Sequence, residues 1–113
     1  MIETIIKSYL ETKTNISVRF ERSPDMSSKC IILEKTGGSY NEQIYTATMA
    51  VQSYGKTLAE AAMLNADVVD WMLDIRDAVT DVFDISLNSD YNFTDSATKR
   101  YRYQAVFVIT YHN

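Results

Sequence analysis

Apolar residues near the start of the chain, Ile2, Ile5, Ile6, Tyr9 and Leu10, recur at helical spacing. The spacing predicts an amphipathic first helix of about three turns. The period then drops to two. Ile16, Val18 and Phe20 alternate with Ser17, Arg19 and Glu21, which predicts a half-buried strand. Ser23-Pro24-Asp25 interrupts it and holds the only proline. Cys30-Ile31-Ile32-Leu33 is a continuous apolar run, as expected of a strand buried on both faces. It is expected to end in a tight turn at Thr36-Gly37-Gly38-Ser39, because glycine tolerates the positive φ such turns need.

A longer strand is predicted over 42–54. Tyr45, Ala47, Met49 and Val51 lie on one face, and Ile44, Thr46, Thr48 and Ala50 on the other. Thr57 and Glu60 then form a T-x-x-E capping box, in which each side chain satisfies an amide that the helix leaves free. Leu58, Ala61, Ala62, Val68, Val69, Met72 and Val79 share one face of the helix that follows, predicted to run to Asp77 or Val79. A short strand through Phe83, Ile85 and Leu87 precedes a polar loop over 88–98. In the last strand Tyr101, Tyr103, Ala105, Phe107, Ile109 and Tyr111 alternate with Arg102, Gln104, Val106, Val108 and Thr110. Its second half is apolar on both faces, which predicts an interior place in the sheet. The expected fold is α+β: two helices packed on one face of a largely antiparallel five-stranded sheet, in the order α-β-β-β-α-β-β.

At 113 residues the chain is expected to be one domain, 1–113. Fifteen acidic residues against eleven basic ones leave a net charge of −4, which argues against the overall electrostatic attraction of a dedicated nucleic-acid binder. The single cysteine, Cys30, forms no intrachain disulfide and reads as a small core hydrophobe. No apolar run reaches 18 residues, so no membrane partner is expected.

Catalytic signals fail on inspection. His112 is the only histidine and is expected to fray near the end of the chain, where it could not serve as a fixed base. Gly55-Lys56-Thr57 imitates the close of a phosphate-binding loop, but Ala50 stands where the pattern needs glycine. Asp90, Asn92 and Thr94 imitate a calcium loop, yet Asp95 replaces its glycine and Tyr101 its closing glutamate. No catalytic residue, metal site or cofactor is expected.

Charge patterning says more. Asp67, Asp70, Asp74 and Asp77 gather on the helix side opposite the apolar face, with no lysine or arginine among them. Such a stripe is a solvated face, a docking surface for a basic partner, or an acidic channel wall. Lys99, Arg100 and Arg102 form a basic cluster at the start of the last strand, suited to edge protection or to an acidic neighbour.

Four stretches together resemble a known family: Glu34-Lys35-Thr36-Gly37-Gly38, Ala47-Thr48-Met49-Ala50-Val51-Gln52-Ser53-Tyr54-Gly55-Lys56-Thr57, Leu87-Asn88-Ser89-Asp90-Tyr91-Asn92-Phe93-Thr94-Asp95 and Lys99-Arg100-Tyr101-Arg102-Tyr103-Gln104-Ala105-Val106-Phe107. In order and spacing, over 18–111, they are similar to small phage and prophage proteins of Gram-positive hosts, labelled minor capsid proteins and similar to tail terminators. The resemblance implies a virion subunit of the tail, made in the host cytoplasm. It would form a ring, typically a hexamer, that ends tail-tube polymerisation and meets the head connector. Its partners would be further copies of itself, the tail-tube protein and connector proteins, with DNA passing but not specifically bound. The family has no catalytic residues to carry over. The role would rest on the loop over 36–41 with Gly37 and Gly38, the loop over 88–98 with Tyr91 and Phe93, the strand edges and the second helix. A head-side connector or stopper is the alternative within the virion, and a small enzyme or ligand-binding domain using the 88–98 loop is the alternative outside it.

Overall fold

The computed structural model describes residues 1–112. The element order is α1 (Ile2–Glu11), β1 (Val18–Arg19), β2 (Cys30–Asn41), β3 (Ile44–Gly55), α2 (Leu58–Leu73), α3 (Ile75–Ala78), β4 (Val82–Asn92) and β5 (Tyr101–Tyr111). The five strands form one sheet in the order β1-β2-β3-β5-β4. The α+β class expected from the pattern holds, and β5 occupies the expected interior place between β3 and β4.

One face of the sheet carries the main core. In register across β2, β3, β5 and β4, Leu33 meets Val51 and Ala105, Met49 meets Phe107 and Leu87, and Ala47 meets Ile109 and Ile85. Ile2, Ile6, Tyr9 and Leu10 of α1 join these residues, except the exposed Leu87, in a single cluster, with Leu64, Val68 and Met72 of α2 and Ile75 of α3. On the opposite face Cys30, Ile32 and Tyr54 form a small separate cluster, with Met26 packed against it.

The sheet is mixed rather than largely antiparallel, because β1 runs parallel to β2, with Val18 opposite Ile31. Periodicity within a strand does not encode its direction. Here the segment through Pro24 carries the chain back, so that it re-enters the sheet heading the same way. The predicted strand over 16–20 shrinks to two residues, and Phe20 is left exposed. Gly37 and Gly38 are not the turn. They lie inside β2 beside a bulge between Lys35 and Gly37, and neither has a positive φ. The hairpin turns instead at Glu42 and Gln43, both left-handed at φ 50° and 69°, the geometry that a tight two-residue link between twisted strands demands.

Thr57 caps α2 as expected. Its side-chain oxygen accepts from the Glu60 amide at 3.1 Å, while the Glu60 carboxylate reaches back to the Lys56 amide at 3.5 Å. Replacing Thr57 by alanine is expected to cost about 1 kcal/mol, read as a thermal midpoint lowered by roughly 4 °C. The helix does not run to Asp77. It stops at Leu73, and Asp74 (φ −92°, ψ 0°) starts a separate turn, α3, so the element order gains a helix. One position expected on the apolar face of α2 differs, since Leu58 is exposed, and Leu64 and Asn65, not expected there, are buried. β4 is longer than predicted, and the residues from Asn88 to Asn92 belong to it rather than to a loop. Bulges between Val82 and Asp84 and between Leu87 and Ser89 change which side chains face the core. Of Phe83, Ile85 and Leu87 only Ile85 is buried, and Val82 takes a core place. No helix among the described residues is long and apolar enough to cross a membrane.

Candidate assembly surfaces

The acidic residues sit where helix geometry puts them, on the side of α2 and α3 away from the sheet. Asp67 and Asp70 belong to α2, Asp74 forms the junction and Asp77 belongs to α3, and all four are exposed. The junction divides the stripe between two helices instead of one continuous face. Among the described residues none of the four is in an ion pair. Arg76, their neighbour, lies 3.7 Å from Asp84 of β4 instead. Tyr9 of α1 packs below the junction and donates its hydroxyl to the Trp71 carbonyl at 2.6 Å. Burial pushes the Tyr9 hydroxyl pKa up, and the nearby charges of Asp74 and Asp77 push it further in the same direction.

The basic cluster does not act as one unit. Arg102 is held inside a small network. Its Nε donates to the Phe93 carbonyl at 2.7 Å and one Nη donates to the Tyr54 hydroxyl at 2.9 Å. Its guanidinium lies 4.5 Å from the Phe93 ring centre and 5.7 Å from that of Tyr54. Arg102 therefore ties the β4–β5 connection to the end of β3. Lys99 and Arg100 remain exposed, and Lys99 has a left-handed φ of 57°. They border a cleft of about 180 Å³ that Arg22 and Lys56 also line.

Sequence reasoning missed Arg22 and Lys56 as members of this group. Lys56 stood in the Gly-Lys-Thr stretch, which was a usable signal. Arg22 lies in the irregular segment before β2, and only the tertiary path brings it over Tyr54, 4.9 Å from the ring centre.

Tyr91 and Phe93, expected in a loop, divide between β4 and the segment after it. Their rings meet edge to face at 5.8 Å. The Tyr91 hydroxyl accepts from Gln104, whose carbonyl oxygen accepts from Gln52 at 2.9 Å. Gln52 and Gln104 come from the even positions of β3 and β5, on the sheet face that the helices leave uncovered, and Tyr91 of β4 lies in register with Gln104. The shortened loop is pinned locally, since Asp95 accepts from the Ala97 amide and its carboxyl is held below the usual range by hydrogen bonds from Thr98 and Ala97. Gly37 and Gly38, being within β2, lie on a strand that beyond Ile32 pairs on one side only, with β3.

Both margins of the sheet are thus open among the described residues. β4 pairs only with β5 through its 11 residues, and β2 is free on its outer side from Leu33 to Asn41. Bulges and the charges of Glu34, Lys35, Asp84 and Asp90 blunt indiscriminate pairing at these margins.

His112 and Cys30, two of the residues screened for chemistry, take structural places. The His112 amide donates to the Asp81 carbonyl at 2.9 Å and its ring stacks on Phe83 at 4.7 Å, so it is held rather than frayed. Cys30 is fully buried. Burial raises its thiol pKa, partly countered by the Arg22 guanidinium, which contacts its sulfur at 3.2 Å. No group of three or more His, Cys, Asp or Glu able to hold a metal occurs among the described residues. No family model matches the chain, and no curated protein matches it.

Proposed function

We propose that this chain is a structural virion subunit. It closes into a ring, a hexamer, on the head-proximal end of a phage tail tube, ends tube polymerisation and offers a surface to the head connector. The observation that supports the reading most directly is the sheet with a free edge at each end. The two edges differ, so the outer margin of β4 in one copy can meet the outer margin of β2 in the next. Contacts between unlike surfaces of identical subunits form a closed ring when the rotation per subunit allows it. The resemblance in the four sequence stretches supplies the identity of the neighbours in the virion.

In this reading the acidic face of α2 and α3 lines the passage. DNA must cross the ring, and an unpaired row of carboxylates repels the phosphate backbone and prevents sticking. Light scattering of the purified protein, with and without tail tubes, checks ring formation. Electron microscopy of tails assembled without the protein gives the decisive result, because tails of normal length would rule the role out. Asp70→Lys combined with Asp74→Lys is expected to leave the subunit folded and the ring intact while slowing DNA release. Loss of the ring would place the face in a subunit contact, and unchanged infectivity would make it an ordinary solvated face.

A further inference from the structure

Three separate segments bring four cations around one small concavity. Arg22 comes from the connection between β1 and β2, Lys56 from the link between β3 and α2, and Lys99 and Arg100 from the link between β4 and β5. They are four of the eleven lysines and arginines in an acidic chain, and no aspartate or glutamate lines the cleft. None of the four is in an ion pair among the described residues. Like charges converging on a recess repel one another, and the repulsion is relieved when an anion enters.

The floor of the cleft is built before any ligand arrives. One Nη of Arg22 donates to the Ser27 carbonyl at 3.1 Å, and the guanidinium lies over the Tyr54 ring. Tyr54 is in turn held by Arg102 through its hydroxyl at 2.9 Å. The Arg22 Nε is buried without a protein acceptor. Groups fixed in this way bind without a large ordering cost.

We propose that this cleft binds a doubly charged phosphate group, as free phosphate or as the terminal phosphate of a larger molecule. The charge count selects the ligand class. One carboxylate would offset a single cation, whereas a phosphate monoester carries roughly −1.5 to −2 charges and three acceptor oxygens. Arginine forks suit those oxygens, and lysines add point charge. The size agrees, because about 180 Å³ is below the roughly 300–1,000 Å³ of pockets that enclose whole organic ligands. A single oxyanion with its waters fits, and a complete nucleotide would project out. The site is independent of the ring proposal.

The test is an amide-resolved NMR titration of the full chain with inorganic phosphate at constant ionic strength, and with sulfate in parallel. Saturable shifts at Lys56, Lys99 and Arg100 are expected with both anions. The double variant K99Q/R100Q, with its spectrum otherwise retained, is expected to bind at least tenfold more weakly, and K56Q more weakly than the native chain. No histidine or carboxylate lines the cleft. Lowering the pH from 7.5 to 5 should therefore weaken phosphate as it becomes a monoanion, while sulfate stays unchanged. A 5′-phosphorylated oligonucleotide that outcompetes phosphate would assign the group to a nucleic-acid end, and one that does not would assign it to free phosphate. Several results would overturn the proposal: no saturable shift with either anion, undiminished binding by K99Q/R100Q, or equal binding of the 5′-hydroxyl oligonucleotide. Preference for an acidic peptide over phosphate would do so as well.

Discussion

Replacing Phe107 by alanine is expected to remove about 3–5 kcal/mol of stability, the largest single-residue loss in this fold. Phe107 is fully buried on interior strand β5 and lies in register between Met49 of β3 and Leu87 of β4. Its ring belongs to the cluster that joins α1, α2 and α3 to the sheet, so its loss leaves a cavity inside that cluster. Domains of this size are stable by roughly 5–15 kcal/mol, so the change takes about a fifth of the total at the least. Urea denaturation checks it through a midpoint lowered by about 1–5 M with an unchanged slope. Val108→Ala, one residue along and half-buried on the other face, supplies the contrast and should cost far less. Equal losses at the two positions would contradict the assignment of the core to one face.

Gly55→Ala is expected to cost about 2–4 kcal/mol, for a different reason. The glycine has no positive φ, so the barrier is space. A Cβ there would stand 2.5 Å from the Ala61 amide nitrogen and 2.9 Å from the Glu60 carbonyl carbon, both backbone atoms. The Ala61 amide makes the first helical hydrogen bond, to Thr57 at 3.1 Å, so the clash moves the helix start together with its cap. Overpacking of this kind costs about 1–3 kcal/mol, and the disturbed cap adds about 1 kcal/mol. Thermal unfolding should show a midpoint lower by roughly 10 °C or more. A midpoint within about 2 °C of the native one would show that α2 can move aside at little cost. Because Lys56 is the next residue, the same change should also weaken the phosphate cleft.

Elements whose signals lie within a few residues of one another were legible before the structure. The i, i+3, i+4 spacing of α1 and the Thr57–Glu60 cap of α2 are both local. So is the alternation that faces Ala47, Met49 and Val51 inward with Ala105, Phe107 and Ile109. The outward position of Asp67, Asp70, Asp74 and Asp77 follows from the same periodicity.

What stayed hidden depends on residues distant in the chain. Phe83 is the extra residue of the first β4 bulge, so Val82 takes the inward place and Phe83 is exposed, while Leu87 keeps the register opposite Phe107 and is exposed on the edge strand. The hairpin turns at Glu42 and Gln43 because the pairing from Cys30–Tyr54 to Asn41–Ile44 leaves only those two residues unpaired. That pairing outweighs the conformational preference of Gly37 and Gly38. The direction of β1 was likewise settled by where the 20–29 segment returns the chain.

By itself, then, the sequence determined the α+β class, the capped second helix, the faces of the two long inner strands and the acidic stripe, because each is written in neighbours one to four residues apart. Only the tertiary structure decided the parallel edge, the open margins of the sheet and the division of the basic cluster. It withdrew Arg102 to the Tyr54 and Phe93 rings and joined Lys99 and Arg100 to Arg22 and Lys56. The physical reason is that strand pairing and loop return are chosen by burying whole faces at once, which no local pattern of residues records.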